Sequence, residues 1–370
     1  MKNLTQFNII FLVALLTCIY LGMQAGQAQD NPYMEEEITF KNGEVTIGGT
    51  LTLPKTKGKH PAIILISGSG AQNRDSDILG FKVFKIIAEH LTSKGIAVLR
   101  CDDRGVGKST GSTAKSTSQD FAGDVVAAVK LLEKRPDINP QQIGLLGHSE
   151  GGLVAPNAYV KYPKIAFIIS MAGPALPGAD IILAQSKLIM ESSNTSKKVI
   201  DGQLKLSKMI FKAIETDQGW ETVEKEGAKV MLNYIDNLPE AQKAYITDRN
   251  KYAEMAIKQQ LKVAKAPWYR AFVLHDPRKD LVKTKCPVLG IFGEKDLQVP
   301  PKMNQEALQK ALVTAGNKNV EVKIIKGANH LFQKANTGSP SEYAKLPKAF
   351  IADFLPTITT WVLPKVTIVK

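Results

Sequence analysis

Short apolar runs alternate with longer amphipathic ones along most of the chain. Residues 38–40 and 45–53 read as a leading pair of strands that turns at Lys41-Asn42-Gly43, with Pro54 closing the second. Residues 62–66 (AIILI) are apolar throughout, the pattern of a strand covered on both faces, and a polar loop over 67–75 (SGSGAQNRD) follows. Phe81, Phe84, Ala88 and Leu91 recur at helical spacing until Gly95 stops them. Residues 96–99 give another buried strand, and Phe121, Val125, Ala128 and Leu132 mark a second helix. The apolar run ending at Gly147 leads into a helix reaching about Tyr162, and a strand over 165–169 comes next. This rhythm predicts an α/β fold: a mostly parallel central sheet with helices on both faces.

The alternation stops after Ala172-Gly173-Pro174. From residue 178 to 280 no run resembles a buried strand; Lys- and Glu-rich segments carry apolar stripes such as Val223, Val230, Met231 and Tyr234. It resumes with 287–292 (PVLGIF), a helix over 301–312, a strand over 320–325 and a last helix through Phe350, Phe354 and Trp361. The expected organisation is one core built from 29–177 and 283–370, with 178–282 inserted as a helical cap. No internal repeat or low-complexity tract is present.

Residues 1–28 stand apart. Lys2 precedes the apolar stretch 9–20, and small and polar residues continue to Ala28, the order of a secretory signal peptide cut after Ala28. The expectation is an exported protein, periplasmic or extracellular, with no stable membrane insertion after cleavage. Lipoprotein anchoring through Cys18 is disfavoured, because Ile19-Tyr20-Leu21 extends the apolar stretch past the cysteine.

Composition adds exclusions. The formal charge is +13, but the basic residues are scattered without interleaved aromatics, so no nucleic-acid partner is expected. Cys101 and Cys286 flank predicted core strands and read as free buried thiols without metal-ligand spacing. No metal and no cofactor is expected. The glycine-rich loop over 100–109 lacks P-loop spacing and reads as a structural turn. The oligomeric state is not legible.

The chemistry gathers at residues 142–152 (QIGLLGHSEGG). Glycines two before and two after Ser149, between strand and helix, describe a sharp turn that lifts the hydroxyl at the carboxyl edge of a sheet. A serine hydroxyl needs a base to take its proton, and the base needs an orienting group. In a parallel sheet these belong just beyond later strands. Asp296 follows 287–292 and His330 follows 320–325, in the order Ser, Asp, His of an α/β-hydrolase. Of the five histidines, His60 lies at the wrong end of its strand, His90 falls inside a helix and His148 is too close to Ser149 to approach it. His275 sits where the cap returns, a possible substrate contact but better read as a satisfied surface group. Glu294 is the local rival of Asp296. The backbone N–H of Glu150, with that of Ser69 or its neighbour Gly70 in the loop after 62–66, are the candidate oxyanion donors. Trp268, Tyr269 and Phe272, close to the cap's return, are candidates for lining a substrate pocket, against the alternative of plain packing.

These motifs carry a family resemblance. Ser67-Gly68-Ser69-Gly70 with Arg74-Asp75, the run Asp103-Arg104-Gly105-Val106-Gly107-Lys108-Ser109, and residues 147–152 belong to it. So do His275-Asp276-Pro277, Cys286-Pro287-Val288-Leu289, Gly293-Glu294-Lys295-Asp296 and Asn329-His330-Leu331-Phe332. The chain resembles the α/β-hydrolase superfamily, and within it the capped bacterial esterases related to serine-aminopeptidase-like and acyl-thioesterase-like hydrolases. The resemblance implies Ser149 as nucleophile, His330 as base and Asp296 as its orienter. It departs at Ser67, where many relatives carry histidine. The implied activity is hydrolysis of a small-molecule carboxylic ester through an acyl-enzyme. An acyltransferase, thioesterase or peptidase would use the same three residues, and a binding protein on a hydrolase scaffold is the reading from another class.

Overall fold

The computed structural model describes residues 33–369, so the expected signal peptide and Cys18 lie outside the described residues. Strands β1 (Tyr33–Asn42) and β2 (Val45–Pro54) pair antiparallel. β3 (His60–Ile66) is buried at every position, as an unbroken apolar run requires. A small hairpin, β4 (Asp77–Ile78) and β5 (Phe81–Lys82), then precedes helix α1 (Val83–Thr92). Phe81 therefore sits in a strand and not in the helix. The Asp77 side chain accepts from the Gly80 N–H at 2.9 Å and closes the turn that holds it there.

β6 (Ala97–Cys101) follows, then α2 (Ser118–Glu133). The helix starts ahead of its first apolar stripe residue because Thr117 and Asp120 form a reciprocal capping box. β7 (Ile138–His148), α3 (Glu150–Lys161) and β8 (Ile168–Met171) complete the first half. The next elements are all helical: α4 (Gly178–Ser192), α5 (Lys197–Thr216), α6 (Trp220–Asp236), α7 (Glu240–Lys243), α8 (Arg249–Ala264), α9 (Pro267–Leu274) and α10 (Arg278–Leu281). β9 (Val288–Gly293), α11 (Pro301–Thr314), β10 (Val320–Ile325) and α12 (Phe354–Val362) follow. Phe350 lies before α12, not inside it: the Ile351 N–H donates to the Phe332 carbonyl at 2.8 Å and ties this stretch to the loop after β10.

One eight-stranded sheet runs in the order β1-β2-β6-β3-β7-β8-β9-β10. The pairs from β6 to β10 are all parallel, and β2 joins β6 antiparallel. Apolar clusters cover both faces, one centred on Ile64, Leu99, Leu145 and Val154, the other on Ile63, Phe84, Ile169 and Phe354. Each buried Leu, Ile or Phe of these layers contributes roughly 1.5–3 kcal/mol. The helical stretch has an apolar centre of its own, including Leu206, Ile210, Ile257 and Leu261. Its two ends meet: the Gly178 N–H donates to the His275 carbonyl at 3.0 Å, and a Cβ on Gly178 would fall 1.8 Å from the Phe272 carbonyl oxygen.

Among the described residues no helix is long and apolar enough to cross a membrane. Cys101 and Cys286 are free thiols, and burial pushes each up to about 12.

Candidate active site

The parallel strands all end at one rim, and the loops that leave them carry the site. After β7, Ser149 takes φ +53° and ψ −122°, a backbone state that an L-residue adopts only under constraint. Neighbouring glycines permit it. A Cβ on Gly147 would lie 2.0 Å from the Gly151 carbonyl oxygen, and one on Gly151 would lie 2.2 Å from that of Ile66. Strand and helix can cross at this distance only without those side chains.

Asp296 follows β9 and is 2% exposed. Its Oδ1 accepts from the backbone N–H groups of Gln298 (2.8 Å) and Val299 (2.9 Å), which fixes the carboxylate. Its Oδ2 accepts from His330 Nδ1 at 2.7 Å. That bond puts the Nδ1 proton on the carboxylate side and leaves Nε2 free as a proton acceptor. Ser149 and His330 line the same cavity, of about 350 Å³. Glu294 is exposed and bonds the Gly327 N–H instead.

The loop after β3 completes the rim. Gly68 runs so close that a Cβ there would sit 3.0 Å from the Ser149 Cβ. Gly68, Ser69 and Glu150 line the Ser149 cavity; Gly70, at φ +96°, borders a separate chamber of about 70 Å³ beneath the loop. Ser67 is used as a tether: its hydroxyl donates to Asp103 Oδ1, and Asp103 Oδ2 accepts from the Gln72 N–H at 2.8 Å. The glycine-rich loop that supplies Asp103 is braced by charge. Arg74 pairs with Asp102 at 2.6 Å, Arg104 pairs with Asp124 at 2.7 Å, and buried Arg100 holds Glu35 and Asp75. It is a structural turn.

Burial pushes the Asp103 carboxyl up from 3.8 to about 7. Between those values the folded chain keeps a proton that the unfolded chain has released. Stability contributed at this position therefore falls as pH rises from about 4 to 7, then levels off. Asp103→Asn removes the charge at constant size. With a discount for partial exposure, it is expected to be about 2 kcal/mol more stable than wild type at pH 8 and no more stable at pH 4. Urea unfolding at the two pH values measures the difference.

The three aromatic candidates separate. Phe272 lines the cavity; Trp268 and Tyr269 are not among the residues that do. Trp268 Nε1 donates to both carboxylate oxygens of Glu150, at 3.1 and 3.0 Å. Tyr269 packs against the apolar centre of the helical stretch, where burial raises its phenol to about 12. His275 is not a satisfied surface group: its Nε2 is buried without a hydrogen-bond partner, 3.8 Å from Asp280 Oδ2. His60 bonds the Thr56 carbonyl and His90 bonds the Thr359 hydroxyl, both away from the rim.

Four residues of the cavity escape the sequence reading. His148, set aside as too near Ser149, turns the other way and donates Nε2–H to the His330 carbonyl at 3.1 Å. Burial pulls its imidazole down to about 3, so it stays neutral and props the backbone of the neighbouring histidine. Gln298, Pro340 and Tyr343 form part of the cavity wall, from segments that carry no periodic signal. The only hint for His148 was a polar residue at the end of an otherwise apolar strand.

Parallel strands feeding one rim, with a serine elbow after β7 and the Asp–His pair after β9 and β10, define the α/β-hydrolase fold. The profile of the serine aminopeptidase S33 family matches residues 81–334, and the chain belongs to that family. Esterase EstD of Thermotoga maritima is 28% identical over 317 residues, which cover 85% of this chain and 65% of EstD. The chain thus spans just under two thirds of that relative's length. Among solved structures, the Pyrococcus furiosus esterase Pf2001 is similar at a TM-score of 0.52 and 18% identity, over 87% of this chain and 91% of that one. The α/β hydrolase GrgF from Penicillium sp. sh18 is similar at 0.50 and 18%, over 81% and 91%. These two likenesses concern the fold alone.

Proposed function

We propose that the chain is a carboxylic-ester hydrolase acting through an acyl-enzyme on Ser149. The observation that carries the reading is the convergence of a strained serine and an Asp296-oriented histidine on one cavity. Ser149 Oγ attacks the acyl carbon while His330 Nε2 takes its proton. The backbone N–H groups of Glu150 and Ser69 receive the oxyanion. His330 then passes the proton to the leaving alcohol, and water activated by the same nitrogen releases the acid. EstD, named an esterase, supports this chemistry for the chain similar to it.

The walls favour a neutral ester over a peptide N-terminus. Among the described lining residues there is no Lys, Arg or Asp, and the Glu150 carboxylate is already occupied by three donors. An aminopeptidase needs a free carboxylate to receive the substrate ammonium. Ile181, Gln185 and Phe272 bring the helical stretch over the cavity, so residues 178–282 act as a cap that excludes water and sizes the substrate. A volume near the lower end of ligand pockets (about 300–1,000 Å³) suits short acyl chains. We further infer export, from the charge and hydropathy order of residues 1–28.

The test is a panel of p-nitrophenyl esters from acetate to palmitate, beside labelling by a fluorophosphonate. Labelling at Ser149 and faster turnover of short esters are expected. An unlabelled protein that turns over no ester of the panel would return the chain to the binding-protein reading. Efficient acyl transfer to an added alcohol in preference to water would make it a transferase.

A further inference from the structure

Glu150 is the residue next to the nucleophile, yet its side chain is 2% exposed and points into the protein. Three donors converge on it from three separate parts of the chain. Ser69, in the loop after β3, donates to Oε2 at 2.8 Å; Ser118, the first residue of α2, donates to Oε1 at 2.8 Å; and Trp268, in α9, donates to both oxygens. All three are neutral. Burial pushes the carboxyl up, but the indole N–H can only donate, so at least one oxygen must remain an acceptor.

The charge itself is no help to the reaction. It is carried by the residue whose own amide faces the developing oxyanion, where negative charge is opposed to the transition state. What the carboxylate supplies is geometry. Ser69 sits in the loop whose Gly68 touches Ser149, and Asp103 fixes that loop at Ser67 and Gln72. The Ser69 hydroxyl ties the middle of that loop to Glu150. Trp268 packs against Phe272, the rings tilted by 31° with centroids 5.9 Å apart, and Phe272 is a wall of the cavity.

We propose that Glu150 is a positioning residue whose carboxylate links the cap, through Trp268, to the oxyanion loop, through Ser69. The donor geometry around Ser149 thereby depends on a docked cap, and an undocked cap leaves the hole loose. This rests on the ester-hydrolase reading given above.

The test uses the whole enzyme with p-nitrophenyl acetate, and rates are expressed per active site titrated with a fluorophosphonate. Trp268→Phe keeps an aromatic ring against Phe272 and removes the indole N–H. Ser69→Ala removes only the hydroxyl. Each is expected to lower kcat by about 10- to 100-fold with KM little changed, because misplaced donors act on the transition state. The double variant is expected to be no slower than the slower single one, since both break one linkage, and Ser69→Thr is expected to restore the rate. Unchanged kcat per titrated site in both single variants, with only a lower Tm, would make Glu150 a structural clamp and overturn the proposal. Losses that multiply in the double variant would overturn it too. A wild-type enzyme that neither hydrolyses the ester nor titrates would instead sink the ester-hydrolase reading itself.

Discussion

Ser149→Ala is expected to lower kcat for a short p-nitrophenyl ester by about 10⁴- to 10⁶-fold while the protein stays folded. In the proposed mechanism this hydroxyl supplies the atom that bonds to the acyl carbon, and the other hydroxyls lining the cavity are engaged elsewhere. The Tyr343 hydroxyl accepts from Gln298 Nε2 at 3.1 Å, and Ser69 is committed to Glu150. Alanine also fits the strained elbow no worse than serine, since the strain is in the backbone and the side chain only shrinks. The rate above buffer that remains would measure what the oxyanion donors and binding provide alone. A loss below about tenfold would remove Ser149 from the chemistry.

Asp296→Asn is expected to cost nearly as much, about 10⁴-fold at neutral pH, with little change in stability. The reason lies in the fixed side of the carboxylate. Oδ1 already accepts two backbone N–H groups, so an asparagine places its oxygen there and turns its NH₂ toward His330 Nδ1. That nitrogen must then be an acceptor, and the ring proton moves to Nε2, where it can no longer receive the serine proton. Steady-state kinetics beside thermal unfolding separates the tautomer effect from unfolding. An Asn variant within tenfold of wild type would show that His330 does not depend on this partner.

The strands and the loops that carry the candidate triad were legible because apolar runs such as 62–66 and 287–292 can be buried on both faces only in a covered parallel sheet. Functional groups then have only the loops beyond the strand ends to occupy, which is why Ser149, Asp296 and His330 could be picked from spacing and order. Side-chain direction was not legible. His148 and Glu150 flank the same serine, and nothing in the sequence says that one props a carbonyl across the site while the other faces inward to a tryptophan. Trp268 failed as a cavity residue for the same reason: periodicity places a residue on a helix, not its indole on a carboxylate. Phe81 and Phe350 were drawn into helices by apolar spacing, whereas an aspartate-closed turn and a single backbone bond to Phe332 placed them outside.

The bond between Gly178 and His275 makes the long helical excursion a closed loop seated on two neighbouring strands. Its departure and return points are fixed together, whatever happens between them. Helices within it can lengthen, exchange or change their inward faces without altering the register of β8 on β9. What lies between those two points is thereby separable from the sheet that carries Ser149, Asp296 and His330.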